Sequence, residues 1–450
     1  LHHRSRATGN VAVICLPDAA RCTTHVRGLG MHATLGTIET EPVRNGQGAG
    51  HDEYARRAYE AGANYLSAVD DMLDIIRNGR AETERIGQVP TVTVEAMRRA
   101  GVFRALTPRR YGGLEMAPDC FFEGIMKIAG AESSAGWIGG QLNVHSFEIA
   151  LMDKRLQDEF WQDGPDTRAS SSYAPTGKWT EVEGGYIVSG TWGFSSGVDH
   201  ADWVILGGGD RNFVIPRTDF SVAQDSWDVA GLKGTGSKSV TVNDAFVPDY
   251  RVHLLSNTYS DQNPGWEVND GPLYRVSFMS IFNSTMANSA IGATLGGLEE
   301  FITESKVRRA RRGTGVSVTE NPHLLVRLAG AISMVETVKK RHLQNWRSLF
   351  AIACDGGVAD PEQRMKVRFE AADSIAISLN ALQEIWPVAG AGAILSTNHL
   401  QTVVRDLHAM RVHGSAGREA AATLYSQCLL GLPGPSFEDS PSMRTLAYHR

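Results

Sequence analysis

Between Ala169 and Val252 the chain changes period. Short runs such as YIVSGTW, WVILGG, NFVIP and KSVTVND are rich in β-branched residues, Ser, Thr and Gly, alternate in character, and are separated by turn residues. The sequence before Gly164 and after Pro272 instead repeats its apolar residues at helical steps. This pattern predicts an antiparallel β domain set between two helical regions.

Ahead of the β block, Leu66, Val69, Leu73 and Ile76 fall three, four and three residues apart, one face of an amphipathic helix over about 51–78. Gln88-Val89-Pro90 breaks it. A second helix is expected over 93–100, with Thr91 or Thr93 as N-cap and Gly101 closing it. A loop through Pro108 and Gly112-Gly113 leads to a helix over about 119–131, and SSAGWIGGQLNVHSFEIALM continues as a helix rich in small residues that carries His145. Beyond Pro272, helical segments over about 283–311, 320–354, 360–390 and 396–413 are joined by short Gly- or Pro-containing breaks, which predicts an antiparallel four-helix bundle. The expected organisation is an N-terminal extension at 1–50, poorly ordered and partly upstream of a start at Met31, then a helical domain at 51–163. A β domain follows at 164–258, the bundle at 271–435 and a tail at 436–450.

The formal charge of -6 is modest and Lys and Arg are not gathered on one stretch, so neither nucleic acid nor an anionic membrane is an expected partner. No apolar run approaches the roughly 20 residues of a spanning helix. Five scattered cysteines, odd in number and without a C-x-x-C pair, argue against a disulfide framework or a zinc site and fit a reducing cytoplasm. Small-molecule chemistry is the remaining expectation.

Four segments carry that chemistry: RASSSYAP (168–175), GGYIVSGTWGFSSGVDHADWVILGG (184–208), GLKGTGSKSVTVNDAFVPDYRV (231–252) and RDLHAMRVH (405–413). Together and in this order they resemble the oxygenase components of two-component flavin-dependent monooxygenases, which share the acyl-CoA dehydrogenase fold. The phenol-hydroxylating branch, with 4-hydroxyphenylacetate 3-hydroxylase and 3-hydroxy-9,10-secoandrostatrienedione hydroxylase, is the most similar, over roughly residues 52–435. The resemblance implies reduced flavin (FMNH2 or FADH2) delivered by a separate NAD(P)H-dependent reductase, reaction with O2 to a C4a-hydroperoxide, and ortho hydroxylation of a phenolic or polycyclic aromatic ring. The flavin supplies the chemistry; the protein positions it, moves protons and excludes water. A phenol is a better oxygen acceptor once its proton, with an ordinary pKa of about 10, is taken by a nearby base. The family is commonly homotetrameric.

The resemblance also implies site residues. His413 matches the catalytic histidine beside the reactive flavin carbon; His408, on another helix face, is the alternative. Ser196 matches the serine that hydrogen-bonds flavin N5. His145 and Ser171 match contacts to the substrate hydroxyl, with Ser170 and Ser172 able to share the role of Ser171. Ser172, Thr235 and Ser237 are further candidates for holding the flavin, the last two in the glycine-rich GTGS turn. Arg308 and Arg311 are candidates for pairing with flavin phosphate. An active-site arginine of the 4-hydroxyphenylacetate enzyme falls on Met279, with Arg275 out of register, which favours a larger or more apolar phenol. Two other readings use the same fold. An acyl-CoA dehydrogenase would need a carboxylate base, which many such enzymes carry after the same Arg-Asp, where this chain has His413-Gly414-Ser415. An N- or S-oxygenating monooxygenase would keep the flavin chemistry and change the acceptor.

Overall fold

The computed structural model describes residues 49–260, 262–307 and 318–432. The N-terminal extension through residue 48, Arg308 and Arg311, and the tail at 436–450 lie outside the described residues. The first helical region comprises α1 (Ala49–Ile86), α2 (Thr91–Arg99), α3 (Pro118–Ala131), α4 (Ser133–Ala150) and α5 (Lys154–Phe160). The β region comprises β1 (Ala169–Ser172), β2 (Lys178–Val182), β3 (Gly185–Ser195), β4 (Trp203–Gly207), β5 (Arg211–Pro216), β6 (Phe220–Ala223), β7 (Lys238–Pro248) and β8 (Val252–Leu254). After α6 (Leu255–Ser260) come α7 (Phe278–Val307), α8 (Pro322–Cys354), α9 (Pro361–Ala389), α10 (His399–Arg411) and α11 (Arg418–Leu429).

Several boundaries differ from the sequence expectation for physical reasons. Helix α1 runs on to Ile86, because the break at Gln88-Val89-Pro90 stops it only there. Neither Thr91 nor Thr93 caps α2: Pro90 occupies the cap position without a side-chain bond, and Thr93 is buried inside the helix. Gly101 does close that helix, with φ at 82°. Glu132, extended in backbone, separates α3 from α4 and accepts hydrogen bonds from the N–H groups of Ser134 and Ala135. The bundle gains a fifth, shorter helix, α11, which packs on α9.

The strands form two four-stranded sheets, ordered β1-β4-β5-β8 and β2-β3-β7-β6. All pairs are antiparallel except β1 with β4, which are parallel, so the β region is antiparallel-rich rather than wholly antiparallel. Strand β4 shows why WVILG reads as an unbroken apolar run. Val204 and Leu206 fill the core between the sheets, while Trp203 and Ile205 join the core of the helices. A strand buried on both faces has no polar alternation to show.

Helix α4 lies at the centre. Every residue from Ser133 to Ala150 is buried, and α3, α7 and β1 pack around it. Helix α7 also lacks a single apolar stripe, because it is enclosed by α3, α4, α9 and α10. Its approach to α3 requires small residues: a Cβ on Gly296 would collide with the Gly130 carbonyl, which is backbone and cannot swing away. Gly296→Val is therefore expected to lower stability by about 1–3 kcal/mol or more through overpacking, measured by urea unfolding; a loss within about 0.5 kcal/mol would contradict this packing.

Candidate active site

Helix α4 carries Trp137, Gln141, His145 and Glu148 at steps of four, four and three, which places them on one face. All four are buried and each meets a partner from another element. Trp137 Nε1 donates to Ser196 Oγ at 3.1 Å, and Gln141 Nε2 to Thr285 Oγ1 on α7 at 2.9 Å. The His145 Nδ1 lies 3.2 Å from the Tyr173 hydroxyl, and Tyr173 donates to Glu148. From Trp137 to His145 the helix rises about 12 Å, so this face has two separated ends.

At the Trp137 end, hydroxyl groups form a chain. Thr235 Oγ1 donates to Leu232 O at 2.8 Å, so its only proton is committed. Ser237 Oγ then donates to Thr235 Oγ1 at 2.7 Å, and Ser196 Oγ to Ser237 Oγ at 2.8 Å. Ser196 thus keeps one acceptor lone pair and is half-buried rather than enclosed. The edge of Trp137 faces the His413 ring, with centroids 5.6 Å apart and planes at 73°. His413 precedes a short turn at Gly414–Ala416, and its Nδ1 accepts from Ser415 N at 3.1 Å. That bond assigns the His413 proton to Nε2. Burial pulls its imidazole down to about 4, so it is neutral near pH 7 and a donor through Nε2–H. His408 is exposed on the outer side of α10 and is not part of this group.

The GTGS turn is held from behind. Leu232 sits in the left-handed region, φ 56°, and its N–H donates to Asp406 Oδ1 at 2.6 Å. Gly231 leaves no room for a Cβ beside Arg405 O. Arg405 reaches Ala230 O at 2.6 Å and Glu84 at 3.1 Å. The Arg-Asp pair therefore fixes the loop whose Thr235 and Ser237 orient Ser196.

At the other end, strand alternation separates the three serines of β1. Ser170 and Ser172 point toward β3, bonding Ser195, the Ser196 carbonyl and the Gly193 carbonyl. Ser171 and Tyr173 share the opposite face toward α4. Ser172 is thus not brought together with Ser196, Thr235 and Ser237. Phe282, on α7, closes this end, 5.4 Å from Tyr173 and 6.4 Å from His145 between ring centroids. Sequence reasoning missed Trp137, Tyr173, Glu148 and His253; the four-four-three spacing on α4 was the available signal for two of them.

A family model for the acyl-CoA dehydrogenase C-terminal domain matches residues 284–417. The flavin-dependent monooxygenase oxygenase subunit HsaA of Rhodococcus jostii is 32% identical over 377 residues, 82% of this chain and 98% of that protein. The p-hydroxyphenylacetate 3-hydroxylase oxygenase component of Acinetobacter baumannii is 29% identical over 84% of this chain and 91% of its own. The crystal structure of a Rhodococcus 3-HSA hydroxylase superposes with a TM-score of 0.79 at 32% identity, covering 83% of this chain and 98% of that one. The chain belongs to the oxygenase components of flavin-dependent monooxygenases.

As a member of that family the enzyme has the acyl-CoA dehydrogenase fold, but the group that meets Trp137 after the Arg-Asp pair is an imidazole, not a carboxylate. A cleft of about 790 Å³ opens elsewhere, lined by Tyr54, Arg109, Glu115, Trp266 and Arg275 among others, and includes none of the candidate residues. Arg275 stacks on Trp266 there at 4.3 Å, while Met279 packs against the helical core.

Burial pushes the Asp406 carboxyl up from its ordinary 3.8 to about 7, with Glu132 and Glu84 adding to the rise against the Leu232 N–H. A raised acid is favoured by folding in its protonated form. Its contribution to stability is complete below 3.8 and is lost as pH rises through about 7. Asp406→Asn keeps an oxygen for Leu232 and cannot ionise. Calorimetric melting should show wild type losing ground to this variant as pH climbs across that window; parallel curves would contradict the assignment.

Proposed function

We propose that this oxygenase hydroxylates a phenolic or polycyclic aromatic ring ortho to its hydroxyl, with reduced flavin at the Trp137 end of α4 and the phenol at the His145 end. The observation that carries the reading is the pairing, on one buried helix face, of a hydroxyl chain ending in an acceptor at Ser196 with a second histidine about 12 Å along. The donor set fits a reduced flavin: its N5–H needs an acceptor, and Ser196 Oγ has one lone pair free once Trp137 and Ser237 are satisfied. Flavin, when bound, supplies the activation of O2.

Each remaining task belongs to the chain. Ser196 holds N5–H, with Thr235 and Ser237 fixing the direction of its own proton. His413 is the proton donor at the reacting edge, through Nε2–H. His145 and Ser171 receive the phenol hydroxyl. Trp137 walls His413 from water. Arg308 and Arg311, outside the described residues, are proposed to pair with flavin phosphate. Met279 in place of an arginine, with Phe278 and Phe282 beside it, favours an apolar phenol over a carboxylate-bearing one.

A separate reductase supplies the reduced flavin, as two-component systems require. We also propose a homotetramer. Val326, Leu325, Ile394, Leu395 and Leu430 are exposed on the bundle, a distribution that favours cover by further copies; a monomer in sedimentation would contradict it. No helix among the described residues is long and apolar enough to cross a membrane. The free thiols of Cys120, Cys354 and Cys428 fit a cytoplasmic setting.

Turnover with a flavin reductase, scored as hydroxylated product against hydrogen peroxide, tests the roles. His413→Ala is expected to lower product formation by about 10²-fold or more. Ser196→Ala is expected to keep oxidising flavin while releasing most of the oxygen as peroxide. Apolar phenols should outperform phenols bearing a carboxylate. Product yields unchanged in both variants would overturn the assignment.

A further inference from the structure

Behind His145 lies a buried polar network to which the proposed chemistry assigns no task. Glu148 is fully enclosed in the middle of the protein, and three groups converge on its carboxylate. Tyr173 donates to Oε2, His253 Nδ1 lies 2.9 Å from Oε1, and Asn212 Nδ2 lies 3.5 Å from the same oxygen. His253 is itself held through Nε2, 3.3 Å from Asn263 and 3.4 Å from Thr258. Tyr173 follows β1, Asn212 lies in β5 and His253 in β8, while Thr258 in α6 and Asn263 just after it hold His253 in turn, so separate parts of the β region are tied to one carboxylate on α4. Burial alone would raise Glu148, but its interactions with His253 first, and the hydrogen bond from Tyr173, outweigh it and hold the carboxyl below the ordinary range.

An ionised carboxylate only accepts, and this fixes the direction of every proton around it. The Tyr173 hydroxyl must give its one proton to Glu148. Burial and the Glu148 charge raise Tyr173 well above 10, so the phenol group keeps that proton. Its oxygen is then an acceptor toward its remaining neighbour, His145 Nδ1. His145 therefore carries its proton on Nδ1 and presents a bare Nε2.

We propose that Tyr173, oriented by Glu148 and His253, is a positioning residue that locks His145 in the Nδ1–H tautomer and leaves its Nε2 as a bare acceptor at the substrate end of the site. A bare acceptor there selects a ring that donates a hydrogen bond, a phenol, and rejects the same ring as its methyl ether. On engagement the phenol donates its hydrogen bond to His145 Nε2. His145 keeps its Nδ1–H on Tyr173 throughout. Burial places His145 at about 4, with Glu148 opposing the shift, so it is neutral and able to accept before the phenol binds. The ether selection rests on the proposed substrate class; the tautomer does not.

The test is nitrogen-15 magnetic resonance of the full-length protein labelled at histidine, with the His145 signals assigned by their loss in His145→Gln. Wild type is expected to show His145 protonated on Nδ1 and bare at Nε2 near neutral pH, with neither flavin nor substrate present. Tyr173→Phe keeps the ring and removes the acceptor, and should move much of the population to the Nε2–H form. A wild-type His145 protonated on Nε2 overturns the proposal, as does a tautomer unchanged in Tyr173→Phe. Should that variant not fold, the wild-type spectrum alone decides. In turnover with reductase, the preference for a productive phenol over its methyl ether should fall by about tenfold or more in Tyr173→Phe. An unchanged preference together with an altered tautomer would leave the lock standing and overturn the selection; no hydroxylation of any phenol by wild type would instead sink the substrate reading.

Discussion

A helix buried on every side must find a partner for each polar side chain it carries, and α4 carries four of them on one face. That constraint ties the molecule together. Trp137 draws in the β3 end through Ser196, Gln141 binds α7, and Glu148 gathers β5, β8 and the chain after β1. An unpaired buried carboxylate would cost several kcal/mol, so the network around Glu148 specifies how the β region docks on the helices. The same bonds set the direction of the protons in the active site.

The two histidines of interest are assigned opposite tautomers by local partners. A backbone N–H at Ser415 makes Nδ1 of His413 an acceptor and leaves Nε2–H to donate. A tyrosine hydroxyl committed to Glu148 makes Nδ1 of His145 a donor and leaves Nε2 to accept. Burial keeps both neutral at working pH. On the proposed reading, one site then donates at the flavin edge and accepts a hydrogen bond from a phenol at the other.

Much of this was legible in the sequence. The change of period at the β block, the small-residue helix and the bundle segments gave the architecture, and the four motifs gave the family. Ser196, Thr235 and Ser237 are joined by hydrogen bonds, and His145 Nδ1 lies 3.2 Å from the Tyr173 hydroxyl. What sequence could not show depends on direction and burial. That Ser171 rather than Ser172 faces α4 follows from strand alternation once the register is known. That Asp406 serves the GTGS loop requires a contact 174 residues away in sequence. Tyr173 and Glu148 read as ordinary core residues until the network around them is seen.

The most direct test of the two-ended site is an anaerobic crystal structure of the enzyme with reduced flavin and a phenol it hydroxylates. The flavin N5 is expected within hydrogen-bond reach of Ser196 Oγ, and the phenol oxygen beside His145 Nε2 and Ser171. Flavin or phenol seated instead in the cleft between Arg109 and Trp266, with Ser196 and His145 untouched, would contradict the account.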